Sequence, residues 1–256
     1  MTKQIVFIHG LFENPKSWTT WKQFFSSHGF ECHVPAYPFH DGEPAELRKN
    51  VTAKLGTVTF AHVVNSLASF IGTLAESPIL IGHSMGGLAV QKLISMNKGA
   101  AGICIDSAPP MGVFTFQWSF LRANFPTINP FKGNSICLPT VEWFHYAFCN
   151  VMTIEETKKE YEEFVVPESR NIPRSSALND GRIDFKKPHA PLLFIAGEKD
   201  NIIPSSLNKK NFLSYQDTAS KREFKEFPNR SHYICGQKGW DEVAEYCRRW
   251  IQQNVQ

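Results

Sequence analysis

Gly82-His83-Ser84-Met85-Gly86 fits the pattern G-x-S-x-G, and another glycine, Gly87, follows it. The apolar run PILIG leads in and the helix-like stretch LAVQKLISM leads out. A sharp strand-to-helix turn at such a place exposes the serine hydroxyl, strains its backbone and turns nearby amides toward the reacting centre. Glycines two residues to either side remove the side chains that would hold strand and helix apart. The chemistry is nucleophilic attack by Ser84 on a carbonyl. The five-residue match alone also arises by chance, so its context carries the weight. A serine hydroxyl attacks well only when a base takes its proton, and the chain has nine histidines. His232, in NRSHY after the run REFKEF, falls at the C-terminal edge of the strands, as Ser84 does. Functional groups of parallel sheets collect at that edge. His83 adjoins the nucleophile on a tight turn that points it elsewhere, which assigns it to packing. His9 ends a buried run and is assigned to ordering the loop after it. His189 precedes a strand, at the opposite edge, and His28, His33, His40, His62 and His145 have no comparable context. The base needs an acid to fix its tautomer. Asp200, in GEKDNIIP, and Asp106, at the end of AAGICID, both stand where one would be useful.

The elements that must position these groups follow from hydrophobic periodicity. Short apolar, β-branched runs predict strands over residues 3–9, 30–37, 78–82, 100–106, 191–197 and 222–227. Helices are predicted over 16–27, over 59–76, from LAVQKLISM onward, near 205–215, and from about Gly239 to Gln252. Asp241 and Glu242 suit the start of the last helix. PFHDGEPAELR reads as a loop. Strands alternating with helices predict a mostly parallel sheet of about six strands covered on both faces. Residues 111–187 break the alternation with many aromatics, several prolines and the charged helical piece TIEETKKEYEEF. They read as a mostly helical insertion, with 1–110 and 188–256 forming the core.

The totals narrow the classes. The 256 residues suit one α/β core with an insertion. A formal net charge of +3 with no basic block argues against a nucleic-acid partner. The six cysteines are scattered, with no CxxC and no zinc spacing, and read as reduced thiols. No HExxH, carboxylate cluster or phosphate-binding glycine loop is present, so no metal or cofactor is expected. No stretch is apolar for long enough to span a bilayer, and a cytoplasmic location is the simplest expectation.

FIHGLFENPKSW, GHSMGG, AGEKDNIIP and FPNRSHYICGQKGWDEVAEYCRRW together, in that order, resemble the α/β-hydrolase superfamily, specifically its cap-bearing serine hydrolases of esterase and lipase type. The resemblance covers nearly the whole core. It implies an α/β-hydrolase fold, a triad of Ser84, Asp200 and His232, and an oxyanion hole made by the backbone N–H groups of Leu11 and Met85. It favours Asp200 over Asp106. Two departures matter: no HGGG is present, and the nucleophile is serine where epoxide hydrolases and dehalogenases carry aspartate. The insertion would be the cap, with Trp118, Phe120, Trp143 and Phe144 as an apolar wall facing substrate. The implied activity is cofactor-independent cleavage of carboxylic esters, or thioesters, of apolar acyl or aromatic groups. A lyase or C–C bond hydrolase on the same scaffold and a non-catalytic ligand receptor are the alternatives. Oligomeric state is left open.

Overall fold

The computed structural model describes residues 2–255. Strands β1 (Gln4–Ile8), β2 (Glu31–His33), β3 (Ile79–His83), β4 (Ala101–Ile105), β7 (Leu192–Gly197) and β8 (Arg222–Phe227) form one sheet in the order β2-β1-β3-β4-β7-β8. Every neighbouring pair is parallel. Side chains alternate between the two faces of a strand. In β1, Ile5 and Phe7 join the cluster under helices α1 (Thr19–Ser27) and α10 (Trp240–Asn254), while Val6 and Ile8 join the one under α3 (Phe60–Ile71) and α4 (Met85–Ser95). α9 (Ser205–Ser214) links β7 to β8. The six-stranded parallel sheet with helices is the α/β-hydrolase fold expected from the sequence.

Differences from the sequence reading lie at element ends and in short elements. The expected strand 30–37 pairs only over Glu31–His33, on the sheet edge just before Pro35. The first helix opens with a 3-10 turn at Pro15–Trp18, and α3 stops at Ile71 with Gly72 as its cap. PFHDGEPAELR is not wholly loop: α2 (Pro44–Lys49) forms there, with Pro44 in its first turn. A six-residue helix is too short to show a period.

Residues between β4 and β7 hold α5 (Trp118–Ile128), α6 (Val141–Ala147), α7 (Ile154–Phe164) and α8 (Asn171–Ser176). Between them β5 (Ile136–Cys137) and β6 (Glu168–Ser169) pair antiparallel. Thr153 and Glu156 close a capping box on α7.

Candidate active site

β3 ends at His83, α4 begins at Met85, and Ser84 joins them with φ 56° and ψ −119°. Positive φ in a residue with a Cβ is strained and persists only where surroundings hold it. Here the Ser84 N–H donates to the Ile105 carbonyl (2.9 Å), and the Ser84 carbonyl accepts from Ala108 (2.9 Å) and Gly87 (3.0 Å). The glycines are a steric requirement. A Cβ on Gly82 would strike the Gly86 carbonyl, and one on Gly86 would strike the carbonyl oxygens of Ile8 and His9. The β1 loop also crosses close by, since a Cβ on Gly10 would lie 2.9 Å from the Ser84 Cβ. Leu11 follows in that loop. Among the described residues no backbone acceptor takes its N–H. Met85 is the first residue of α4, where helix geometry leaves the N–H without an intrahelical partner.

Asp200 and His232 arrive from the loops after β7 and β8. The Asp200 Oδ1 accepts from the N–H groups of Ile202 and Ile203, both at 2.8 Å. Its Oδ2 lies 2.6 Å from the His232 Nδ1. This carboxylate therefore fixes the tautomer with hydrogen on Nδ1 and leaves Nε2 with its lone pair. Nε2 is buried with no hydrogen-bond partner, Ser84 included. Bonds between nucleophile and base are often long in free enzymes and tighten with substrate. Burial pushes the His232 imidazole well below its ordinary range, and the nearby His83 charge adds to this. The ring is thus neutral and able to accept a proton.

Asp106, the rival acid, is fully buried at the end of β4. Its Oδ1 accepts the Gly197 N–H at 2.7 Å and its Oδ2 has no partner. Burial, reinforced by the charge on Asp200, holds its carboxyl well above the carboxylate range; burial also raises Asp200, opposed there by the Ile203 and Ile202 N–H groups and by His83. Two adjacent buried acids do not both ionise. Asp200 has donors on both oxygens, so the negative charge belongs there.

His83 does more than pack. Its Nε2 donates to the His232 carbonyl (2.8 Å), and its Nδ1 lies 3.3 Å from the Glu13 carboxylate. Glu13 also accepts the Gly10 N–H (3.1 Å). Burial lowers the His83 imidazole, but Glu13 outweighs it and holds the ring above its ordinary range. Burial raises Glu13, and His83 with the Gly10 N–H outweighs that in turn. Glu13 was missed in the sequence; its signal was a lone carboxylate directly after the apolar stretch FIHGLF. His9 stays neutral, lowered to about 3 by burial and by His40 against the opposing Gly10 carbonyl bond. Its Nδ1 donates to that carbonyl and its Nε2 accepts the Tyr37 N–H. His40 pairs with buried Glu168 (3.1 Å), a tie from the core to the insertion that sequence position did not reveal. His189 precedes β7, at the far edge from Ser84.

The Asp106 carboxylate and a ring nitrogen each of His83 and His232 lie within 4.8 Å of one another. Both His83 nitrogens are already taken by Glu13 and the His232 carbonyl, so a metal there would have to displace those bonds.

The structure divides the four aromatics expected in the insertion. The Trp143 ring meets Phe12, beside Leu11, at 5.4 Å between centroids. Phe144 stacks on Phe148 (4.8 Å), and Phe148, one of the insertion's aromatics but not among the four expected at the wall, sets its ring edge-on to His232 (4.7 Å). Trp118 and Phe120 fall elsewhere. The buried residues of α5 are Ala123 and Thr127, and Trp118 projects from the opposite side, 74% exposed. Phe120 is half-buried and borders the same outer groove as Trp118, a groove lined by none of Ser84, Asp200 and His232. Ser84 itself is only 5% exposed.

Several solved structures share this fold. A monoacylglycerol lipase from Paleococcus ferrophilus is 17% identical with a TM-score of 0.72, over 100% of this chain and 96% of that one. Methylketone synthase I from tomato is 14% identical with a TM-score of 0.71, over 99% of both chains. A methylesterase from Arabidopsis is 13% identical with a TM-score of 0.68, over 98% and 99%. A search among curated proteins finds no match. A profile described as the alpha/beta hydrolase family matches residues 5–246, and the chain belongs to that family.

Proposed function

We propose that the protein is a serine hydrolase that cleaves carboxylic esters of apolar acyl or aromatic groups. The observation that carries this reading is the 2.6 Å contact from Asp200 to His232 Nδ1, with His232 Nε2 buried and unclaimed. Ser84 Oγ attacks the ester carbonyl as Nε2 takes its proton. The oxyanion is held by the Leu11 and Met85 N–H groups, each donor contributing roughly 3–4 kcal/mol in comparable sites. The intermediate collapses, Nε2 returns the proton to the leaving alcohol, and a water molecule then releases the acid by the same steps. Residues 111–187 act as the cap, and substrate reaches the buried serine when that segment moves. Trp143 and Phe144, with Phe12 and Phe148, form the apolar wall; Trp118 and Phe120 leave it. The monoacylglycerol lipase and methylesterase among the similar structures are consistent with ester substrates. A p-nitrophenyl ester series tests the reading. Turnover by the wild type that disappears in Ser84→Ala is expected. Turnover that survives in a folded Ser84→Ala would overturn it.

A further inference from the structure

The outer side of α5 serves no interior. Trp118, Leu121 and Phe125 recur at helical spacing on one face and are 74%, 41% and 63% exposed. The chain before the helix adds exposed Phe114 and Phe116, and the chain after it adds Phe131, 90% exposed. Between the helix side chains runs an open groove of about 480 Å³. Contiguous exposed apolar patches of this kind are uncommon on soluble monomers and mark contact surfaces.

The charged residues in the stretch that carries the patch, and several that bind its backbone, are basic. From Ser107 to Val141 the sequence contains no aspartate or glutamate, and it contains Arg122 and Lys132. Arg170 donates to the Thr127 carbonyl (3.0 Å) and Arg174 to the Ile128 carbonyl (2.5 Å), so both sit at the C-terminal end of α5. Lys210 donates to the Phe114 carbonyl and lies over its ring. Among the described residues none of these cations forms an ion pair with a carboxylate. A second copy of the chain is a poor cover, because a two-fold contact centred on this face would set Arg122 and Lys132 near their own copies.

We propose that this face docks the protein on an anionic lipid surface. The aromatic side chains enter the boundary between headgroups and acyl chains, and the basic rim meets the lipid charge. The other side of the same helix is fixed to the enzyme core. Asn124 donates to the Ile202 carbonyl (2.9 Å), in the loop that carries Asp200, and the Trp143 indole donates to the Ala123 carbonyl (3.1 Å). The docked surface is thereby placed beside the active edge. The docking stands apart from the ester reading, since no atom of Ser84, Asp200 or His232 takes part in it.

Co-sedimentation with vesicles tests it, using the full chain at about 0.1 M salt, where charge is screened beyond roughly 10 Å. Vesicles of phosphatidylcholine and phosphatidylserine are compared with vesicles of phosphatidylcholine alone. Binding at least about tenfold stronger to the mixed vesicles is expected, as each cation at an anionic surface strengthens attachment several-fold. The triple variant Phe116→Ser, Trp118→Ser, Phe125→Ser should lose binding, and Arg122→Glu with Lys132→Glu should abolish the preference for phosphatidylserine. All five positions are solvent-facing or rim positions, and unchanged thermal melting verifies that the variants are folded. Protein left in the supernatant with both vesicle types would overturn the proposal. So would equal binding to both, or binding that the triple variant retains. A wild-type dimer in light scattering that the triple variant dissociates would assign the face to a second copy instead.

Discussion

Asp106 and Asp200 differ in what their oxygens touch, and that difference predicts unequal mutants. Asp200 binds two backbone N–H groups and the His232 ring. Replacing it with asparagine sets an amide against Nδ1, favours the wrong tautomer, and is expected to lower kcat/KM by up to about ten-thousandfold. Asp106 is held protonated by burial and by its neighbour's charge. Exchanging a neutral acid for a neutral amide changes no charge, so Asp106→Asn should cost less than about tenfold. Kinetics of both folded variants on one ester decide this, and the reverse order would move the acid to β4. At this scale the places of Ser84, Asp200 and His232 were legible because each lies in a short stretch with its own spacing, at a strand end. Phe148 and Glu13 were not legible. Phe148 reaches His232 from 84 residues away in sequence through the fold of the insertion, and Glu13 acquires its partner only when β1 and β3 lie side by side.

Two close approaches join the elements that meet at the nucleophile. The first is steric. Gly86→Ala would drive a Cβ into the main-chain carbonyls of Ile8 and His9, which cannot rotate away as a side chain can. Overpacking of this kind costs about 1–3 kcal/mol or more, and each kcal/mol lowers Tm by roughly 2–4 °C in a chain of this size. A thermal melt of Gly86→Ala unchanged from wild type would contradict that packing. The second is the Glu13–His83 pair, which ties the β1 loop to the end of β3. Glu13 titrates lower when folded, so its contribution is present above its unfolded value of about 4.3 and fades as pH falls through the folded one. His83 titrates higher when folded, so its contribution is full below about 6.5 and is lost as pH rises through the folded value. The stability gap between wild type and Glu13→Gln, measured by urea unfolding, should therefore peak between about pH 5 and 6 at on the order of 3 kcal/mol. It should shrink toward pH 9; a gap independent of pH would deny the ion pair. Long periodic helices and buried strands were legible within a few residues. α2, β5 and β6 were not, because two to six residues are too few to repeat a pattern, and their pairing is set by tertiary contact.

On the scale of the whole molecule, the sheet carries Ser84, Asp200 and His232 to one edge, and the insertion between β4 and β7 brings Phe148 against His232 there. The sheet's parallel direction was readable from alternation, whereas its strand order and the side of α5 that faces inward depended on contacts that periodicity does not specify. All six cysteines are free, so a reducing agent is expected to leave the melting temperature unchanged; a drop would reveal a disulfide between molecules or a rearranged core. A triad working as proposed makes one serine hydroxyl unusually nucleophilic. A fluorophosphonate reports that property directly, without knowledge of the substrate. At equimolar reagent one adduct per chain is expected, mapped by peptide mass spectrometry to Ser84, and slowed by a thousandfold or more in a folded His232→Ala, in line with removal of a triad base. An adduct on Ser107 or Ser231, or labelling of Ser84 at the same rate without His232, would contradict the triad.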